Sequence, residues 1–389
     1  MTMALDSKHL LLLSVSPLRG GAEDYCLAIA RGAVAAGFEV DAAFSPSEEM
    51  ASLAHDMQSL GVRYHALNIV DVGSRHTHSG FIPRFLRTYR LLINTRPNVA
   101  LVVLCGLQYG LAPLLACAVA RVPAVVVFQM VRSGVYLSPP QRWVRALARK
   151  KGQTYVAVSS ENQYLLSRVL RMPSSDIQWI ANGADPAVFA CTPAERAAGR
   201  AKLREELGLP PETRLLLTVG RLSHQKGHDL LVPVMAHVIE RHPDVRFIWA
   251  GEGPNEKDLK ALLEQYGVEK FTTLLGRRGD IPHLLNSSDL FVHPTRFEGQ
   301  PFSMLEAMAA GLPIVTTQAS GITEVLEDRV HGLLGRVEDV RDLRENLFFA
   351  LDHPDDMRAM AERARLRLEA FTEAKMIERT LALLTDSCR

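Results

Sequence analysis

Several features that would point directly to a function are scarce in this 389-residue chain. Its five cysteines are scattered without the spacing of a zinc site or a disulfide framework, and no Asp-x-Asp pair is present. These absences argue against a resident metal and favour reduced thiols. We therefore expect no metal, no cofactor and a cytoplasmic location.

Charge of one sign and long apolar runs are also lacking. The net charge is +1, with 22% charged and 47% hydrophobic residues, so no overall field points to nucleic acid as a partner. The apolar run near the start is too short to cross a bilayer, and we interpret Leu10 to Ser16 as a first buried strand. The length fits two globular domains of ordinary size.

Short apolar runs alternate with longer amphipathic ones in two successive series. The first includes LLLLSVS, VALVVL and AVVVFQM, and the second starts at LLLTVG and includes VRFIWAG and LFVHP. This alternation is typical of parallel sheets with helices on both faces. We predict an α/β protein of two Rossmann-like, doubly wound domains facing a central cleft, joined by a Pro- and Ala-rich segment from about Asp185 to Glu212.

The segment from Asp289 to Thr317 reads as strand, loop, helix and strand. It places Glu298 in the loop and Glu306 about one turn into the helix. Carboxylates do not favour a phosphate, so we expect these two acids to bind sugar hydroxyls, although acids at such positions are as often helix caps. The free backbone amides at the helix start, which suit a phosphate, are those of Phe302, Ser303 and Met304.

The loop GRLSHQKG (220–227) carries Arg221 and Lys226 just past a predicted strand. Two cations held there can stabilise a diphosphate leaving group, and a solvated basic loop is the alternative.

Glycines follow three other predicted strands. Gly20 and Gly21, and Gly251 in GEGP, permit close approach of the backbone to a ligand, while a plain turn is the alternative for each. The backbone of Gly276 and Arg277, in LLGRRGD, is placed to contact the flat edge of a base.

These motifs stand in the order and spacing of the family-4 retaining glycosyltransferases of the glycosyltransferase-B fold, which the chain resembles over nearly its whole length. The motifs that carry the resemblance are GGAE (20–23), NGADPAVF (182–189), GRLSHQKG, GEGP and EGQPFSMLEAMAAGLPIVTT. The resemblance implies a nucleotide diphosphate sugar as donor. Arg221 and Lys226 would then bind the diphosphate, Glu306 the ribose and Glu298 the transferred sugar.

The resemblance also implies how the chain is divided. Residues 1–185 would form an acceptor-binding domain, with Gly21 beside the diphosphate, and residues 186–365 the donor-binding domain. A C-terminal helix within 366–389 would return to the first domain. One departure concerns Gln129, which stands where many members have a histidine. Gln129 is a candidate sugar or acceptor contact that cannot titrate, or only a polar residue at a strand end.

The reaction predicted from this resemblance is transfer of a hexose-type sugar to a hydroxyl acceptor with retention, in cell-surface glycan or glycolipid synthesis. Glu298, Arg221 and Lys226 are the predicted catalytic residues. Such a transfer needs no strong base, because the leaving phosphate oxygen can take the proton. A nucleotide-sugar epimerase, and a non-catalytic nucleotide-sugar-binding subunit, are the alternatives on the same frame.

A basic amphipathic helix is predicted after Pro139 and Pro140. Such a helix can lie on an anionic bilayer, which would place the protein on the inner face of the membrane, or it can simply cover a sheet. The pattern puts the apolar face at Trp143, Val144, Leu147 and Ala148, and the basic face at Arg142, Arg145 and Arg149. A second predicted helix would extend the basic patch with Arg84, Arg87 and Arg90.

Overall fold

The computed structural model describes residues 8–71 and 80–388. Its contacts divide the chain into two compact units. Unit 1 comprises Met1–Asn182 and Glu373–Arg389, and unit 2 comprises Gly183–Thr372. Each unit is built on one sheet, and every strand pairing within the two sheets is parallel.

Unit 1 has seven strands in the order β3-β2-β1-β4-β5-β6-β7. The strands are β1 (His9–Ser14), β2 (Glu39–Phe44), β3 (Arg63–Ala66), β4 (Val99–Leu104), β5 (Ala124–Phe128), β6 (Gln153–Ala157) and β7 (Ile177–Trp179). Its first six helices are α1 (Gly21–Ala35), α2 (Ala51–Ser59), α3 (Phe81–Thr95), α4 (Leu111–Ala120), α5 (Pro139–Lys150) and α6 (Ser160–Leu170). The central strands are continuous apolar runs because helices cover both faces of the sheet.

Unit 2 has six strands in the order β10-β9-β8-β11-β12-β13. They are β8 (Arg214–Val219), β9 (Val245–Ala250), β10 (Thr272–Gly276), β11 (Leu290–His293), β12 (Ile314–Thr317) and β13 (Leu333–Gly335). The helices are α7 (Pro193–Glu206), α8 (His228–Arg241), α9 (Glu256–Tyr266), α10 (Ile281–Ser287), α11 (Phe302–Ala309), α12 (Val340–Asp352) and α13 (Pro354–Arg367). The two sheets confirm the predicted α/β class and the doubly wound architecture.

Helix α7 occupies half of the Pro- and Ala-rich segment that was predicted to be the domain junction. Thr192 caps it, because its hydroxyl accepts a hydrogen bond from the amide of Glu195 at 3.2 Å. The Glu195 carboxylate in turn accepts from the amide of Thr192 at 2.8 Å. This capping box explains why a proline-containing, polar segment forms a regular helix.

The last helix, α14 (Glu373–Ser387), belongs to unit 1 and packs against α1. The hydroxyls of Tyr25 and Thr380 are hydrogen-bonded at 2.9 Å inside this contact. Arg31 and Glu373 form an ion pair at its exposed side, with 2.9 Å between Nη2 and Oε1. Among the helices of residues 8–71 and 80–388, none is long and apolar enough to cross a membrane.

Candidate functional site

The strand order of unit 2 reverses between β8 and β11, which are neighbours in the sheet. The connections from these two strands therefore leave in opposite directions and open a crevice at their carboxyl ends. The loop after β8 carries Arg221 and Lys226, and the loop after β11 carries Glu298. The fold thus brings together two predicted segments that lie 72 residues apart.

Gly227 allows these two loops to touch. It ends the short turn that contains Lys226, in a left-handed conformation with φ of +68°. A Cβ atom at this position would lie 1.8 Å from the carbonyl oxygen of Pro294, in the loop after β11. Only glycine fits there, so the close approach of the two loops requires glycine at position 227.

Lys226 and Glu298 form an ion pair at the centre of the crevice. The Lys226 Nζ atom lies 2.6 Å from Oε1 of Glu298, and the two side chains are 16% and 6% exposed. The same Oε1 atom accepts hydrogen bonds from Nε2 of His293 at 3.1 Å and from the hydroxyl of Thr295 at 2.9 Å. Oε2 accepts from Nε2 of Gln225 at 3.2 Å.

These partners keep the buried carboxylate charged. Burial alone would raise the pKa of Glu298, but the Lys226 ammonium and the His293 hydrogen bond outweigh it and hold the pKa at about 2. Burial and the same ammonium lower the pKa of His293, so its ring is neutral and donates through Nε2. Glu298 is therefore an anion at physiological pH and cannot act as a general acid.

Two other predicted donor-site residues of unit 2, Arg221 and Glu306, lie in the connections that follow the same two strands. Arg221 is exposed directly after β8. Glu306 is half-buried on α11, and the first turn of that helix starts after Pro301 without a side-chain cap. The N-cap residue, Pro301, therefore offers no side-chain acceptor to the amides predicted to face a phosphate, which are those of Phe302, Ser303 and Met304.

The glycines of the two neighbouring strand ends have partners within the protein. A Cβ atom on Gly251, where φ is +148°, would lie 2.0 Å from the carbonyl oxygen of Gly220. The amide of Gly251 donates to the carbonyl of Gly276 at 2.8 Å, and the amide of Arg277 donates to the Glu252 carboxylate at 3.2 Å. Packing against the loop after β8 therefore explains why residue 251 is a glycine. Contact of Gly251, Gly276 and Arg277 with a nucleotide stays a prediction.

The corresponding turn of unit 1 contains Gly20 and Gly21, at the start of α1. Glu23, in the first turn of this helix, accepts from the hydroxyl of Ser14 at 2.8 Å and from the amide of Gly20 at 3.0 Å. Burial raises the pKa of this carboxyl to about 7, although both hydrogen bonds oppose the shift. Gln129 follows β5, and its amide oxygen accepts from Nδ2 of Asn182 at 2.9 Å.

The prediction for the basic helix was wrong about two side chains of α5. Arg145 is 2% exposed, because its guanidinium donates to the carbonyls of Leu107 and Tyr109 in the loop between β4 and α4. Trp143, which was expected on the apolar face, is 66% exposed. Arg149 is exposed and Arg142 half-buried, so the outer face of α5 is both aromatic and basic.

Five residues that contact the ion pair or support it were not singled out from the sequence: Gln225, Asp229, His293, Thr295 and Arg296. A usable signal existed for His293, because a histidine at the carboxyl end of a buried strand lies at the edge of the sheet where ligands bind. Within the described residues, no group of three or more His, Cys, Asp and Glu side chains is arranged to hold a metal.

A cavity of about 1240 Å³ opens elsewhere in unit 2. It lies at the amino ends of β8 and β11, the sheet edge opposite the ion pair, and its lining includes Arg196, Arg200 and Met357. None of the predicted site residues lines it.

Comparison with known protein families gives two matches that follow one another along the chain. The family described as Glycosyltransferase Family 4 matches residues 19–188. The family described as Glycosyl transferases group 1 matches residues 199–367, which include the ion pair.

Curated relatives match over part of their length. An uncharacterized glycosyltransferase of Haemophilus influenzae is 29% identical over 174 residues, which are 44% of this chain and 49% of that protein. The UDP-Gal:α-D-GlcNAc-diphosphoundecaprenol α-1,3-galactosyltransferase of Escherichia coli is 28% identical over 250 residues, 63% of each chain. The chain thus spans about half to nearly two thirds of these relatives.

Similarity to solved structures extends further. The crystal structure of HepE from Anabaena in complex with UDP and glucose has a TM-score of 0.81 to this chain. It covers 97% of this chain and 100% of the Anabaena chain at 20% sequence identity. At that identity the likeness establishes the fold.

Proposed function

Since the chain belongs to the family 4, group 1 glycosyltransferases, with the glycosyltransferase-B fold, we propose that it transfers a hexose-type sugar from a nucleotide diphosphate donor to a hydroxyl acceptor with retention. The observation that carries this proposal is the ion pair of Lys226 and Glu298 at the switch point of unit 2. The pair offers one cation for a diphosphate and one ionised carboxylate for sugar hydroxyls, 2.6 Å apart.

The hydrogen bonds of Glu298 favour one of its oxygens as the sugar contact. Oε1 already accepts from Lys226, His293 and Thr295. Among the described residues, Oε2 accepts only from Gln225, at 3.2 Å. A carboxylate oxygen has room for a second donor, so a sugar hydroxyl would bind Oε2.

The charges around the pair suit a diphosphate leaving group. An ammonium has three N–H donors, and Lys226 uses one on Glu298, which leaves two for phosphate oxygens. Arg221 and the first amides of α11 add fixed positive charge on the same sheet edge. Because its pKa is about 2, the Glu298 carboxylate is too weak a base to take the acceptor proton, so the proton passes to the leaving phosphate oxygen.

Uridine diphosphate sugars are the first donors to test, because the Anabaena structure of the same fold contains UDP and glucose. We place Glu306 on the ribose and Gly21 beside the diphosphate, as the family resemblance implies. Gln129 would contact the transferred sugar or the acceptor. The Escherichia coli relative acts on a diphosphoundecaprenol-linked sugar, which supports a lipid-linked acceptor and a place in cell-surface polysaccharide synthesis.

A lipid-linked acceptor fits the charge of unit 1. Residues 72–160 include twelve Lys or Arg and no Asp or Glu, although the whole chain is nearly neutral. Arg145 is buried, and Arg84 and Arg149 pair with Asp71 and Asp176, which leaves at most nine of the twelve to give the surface a net positive charge. Ile82 on α3 is 67% exposed, like Trp143 on α5, and α4 packs against both helices. Exposed apolar side chains on a cationic surface favour peripheral contact with an anionic membrane.

Nucleotide release tests the proposed reaction. The protein is incubated with uridine, guanosine and adenosine diphosphate sugars, with and without a lipid extract as acceptor source, and free nucleoside diphosphate is measured. We expect release that depends on the acceptor. Interconversion of the donor sugars would support an epimerase instead, and binding without turnover a non-catalytic subunit.

Flotation with vesicles tests the membrane contact. We expect the protein to float with phosphatidylglycerol vesicles at low salt and to be released at high salt, because surface charge is screened. The double variant Ile82→Ser, Trp143→Ser should bind more weakly, whereas Trp179→Ser, on the edge strand β7, is the control. Equal flotation of all three proteins would exclude α3 and α5 as the contact.

A further inference from the structure

Arg296 belongs to the loop after β11, two residues before Glu298, and its side chain contacts the loop after β8. Its Nη1 and Nη2 atoms donate to the two carboxylate oxygens of Asp229 at 2.8 and 2.7 Å. Nη1 also donates to the carbonyl of His224 at 2.7 Å, and Nε donates to Glu338 at 2.8 Å. The side chain is only 9% exposed, so this guanidinium is held on every side.

These contacts fasten the turn that contains Lys226 to the loop that contains Glu298. Asp229 lies three residues after Lys226, in the first turn of α8, and His224 lies two residues before it. The amide of Arg296 donates to the carbonyl of Gln225 at 2.8 Å, and the Thr295 hydroxyl donates to the same carbonyl at 3.0 Å. The lysine is thus flanked on both sides by residues that Arg296 holds.

We propose that Arg296 is a positioning residue of the donor site, which sets the place of Lys226 relative to Glu298 through Asp229. This inference rests on the proposed function, since it assumes that Lys226 binds the diphosphate. The chemistry requires arginine, because only a planar guanidinium can grip both oxygens of Asp229 and still reach a carbonyl and a second acid. A lysine at position 296 would keep the positive charge but could not donate two parallel hydrogen bonds to the two oxygens of Asp229.

A general stabilising role would look different from a positioning role. Arg214 offers the matched comparison, because it also grips both oxygens of one acid, Asp244, at 2.6 and 2.9 Å, and a carbonyl, that of Leu351, at 3.0 Å. It does so at the amino end of β8, the sheet edge opposite the ion pair. Arg214→Lys should therefore lower the melting temperature as Arg296→Lys does, but leave nucleotide affinity within about twofold of the wild type.

The test is a double-mutant cycle on the full-length protein, read as the Kd for UDP by calorimetry. Arg296→Lys should weaken binding roughly tenfold in the wild-type background. In the Lys226→Ala background the same change should cost less than about twofold, because the residue it positions is gone. Asp229→Asn removes the charge of the acid that Arg296 contacts. It should likewise weaken UDP binding when Lys226 is present and have little effect in the Lys226→Ala background.

Two results overturn the inference while leaving the proposed function in place. One is an equal loss from Arg296→Lys in both backgrounds, and the other is a loss no larger than that from Arg214→Lys. A wild-type protein that binds none of UDP, GDP and ADP would instead remove the proposed function, and this inference with it.

Discussion

Unit 1 and unit 2 each bury one glutamate at the carboxyl edge of a parallel sheet, Glu23 against the end of β1 and Glu298 against the end of β11. Taken as whole residues, the two acids are 1% and 5% exposed, and each accepts at least two hydrogen bonds. Their pKa values nevertheless lie about five units apart, near 7 and near 2. Burial is therefore not what separates them.

The difference comes from the charge of the partners. Glu23 faces the neutral hydroxyl of Ser14 and the amide of Gly20, so burial dominates and raises its pKa. Glu298 faces the ammonium of Lys226 at 2.6 Å, which reverses the effect of burial. One fold thus carries a carboxyl that titrates near neutral pH in one unit and a permanent anion in the other.

The largest expected effect comes from removing the anion of unit 2. Glu298→Gln leaves the mostly buried Lys226 ammonium without its counter-ion, which should cost about 3–5 kcal/mol of unfolding free energy. Urea unfolding at pH 7 measures this loss. The matched control is Glu256→Gln, which breaks the exposed pair of Glu256 and Lys260, whose charged atoms are 2.7 Å apart. It should cost about 0.5 kcal/mol or less.

The low pKa of Glu298 determines how the free energy of unfolding should change with pH in acid. The folded pKa of Glu298, about 2, lies below the ordinary value of 4.5. The unfolded chain therefore binds more protons between these values, so this contribution is fully present above about pH 4.5 and is lost as the pH falls through 2. Glu298→Gln should flatten that part of the profile, and an unchanged profile would contradict the ion pair.

Removing the cation should bring Glu298 closer to the situation of Glu23. In Lys226→Ala the carboxylate keeps His293, Thr295 and Gln225 but has no ammonium, so its pKa should rise. Turnover should fall at least about hundredfold, since a fixed charge at the leaving group is lost. Nucleotide release measures this, with Lys260→Ala as the control. A rate equal to that of the wild type would remove Lys226 from the proposed diphosphate site.

The fold, and the loops that carry the candidate site, were predictable because they depend on local patterns. Strands buried on both faces appear as apolar runs, such as Leu10 to Leu13, and glycine or cationic loops follow them. The pairing of Lys226 with Glu298 was not predictable in this way. It depends on β8 and β11 being neighbours in the sheet, and strand order is a long-range property.

Arg145 shows the limit of helical periodicity. The pattern placed it in water because charged side chains usually lie there. The structure buries it, because carbonyl groups of the loop between β4 and α4 satisfy its guanidinium. Those carbonyls lie 36 and 38 residues away in sequence, and no pattern within one helix contains them. Trp143 is exposed in the same helix for the same reason, since the rotation that buries Arg145 turns it outward.

The smallest expected effect concerns Glu23. Because its folded pKa, about 7, lies above 4.5, the folded protein binds more protons between these values, and its unfolding free energy falls as the pH rises through that interval. Glu23→Gln should abolish this fall, since an amide can still accept from Gly20 and can donate to the Ser14 hydroxyl. We expect the variant to match the wild type near pH 5 and to exceed it by about 2.5 kcal/mol at pH 8.

Urea unfolding from pH 5 to pH 8 measures this difference. Asp24→Asn is the control, because this neighbouring acid in the first turn of α1 is exposed and pairs with Arg19 at 2.9 Å. Its profile should keep most of the wild-type slope, since Asp24 contributes much less than burial to the raised pKa of Glu23. Parallel profiles for the wild type and Glu23→Gln would mean that Glu23 is ionised throughout. The contrast between the two buried glutamates would then disappear, and the hydroxyl of Ser14 and the amide of Gly20 would be sufficient to keep a buried carboxylate charged.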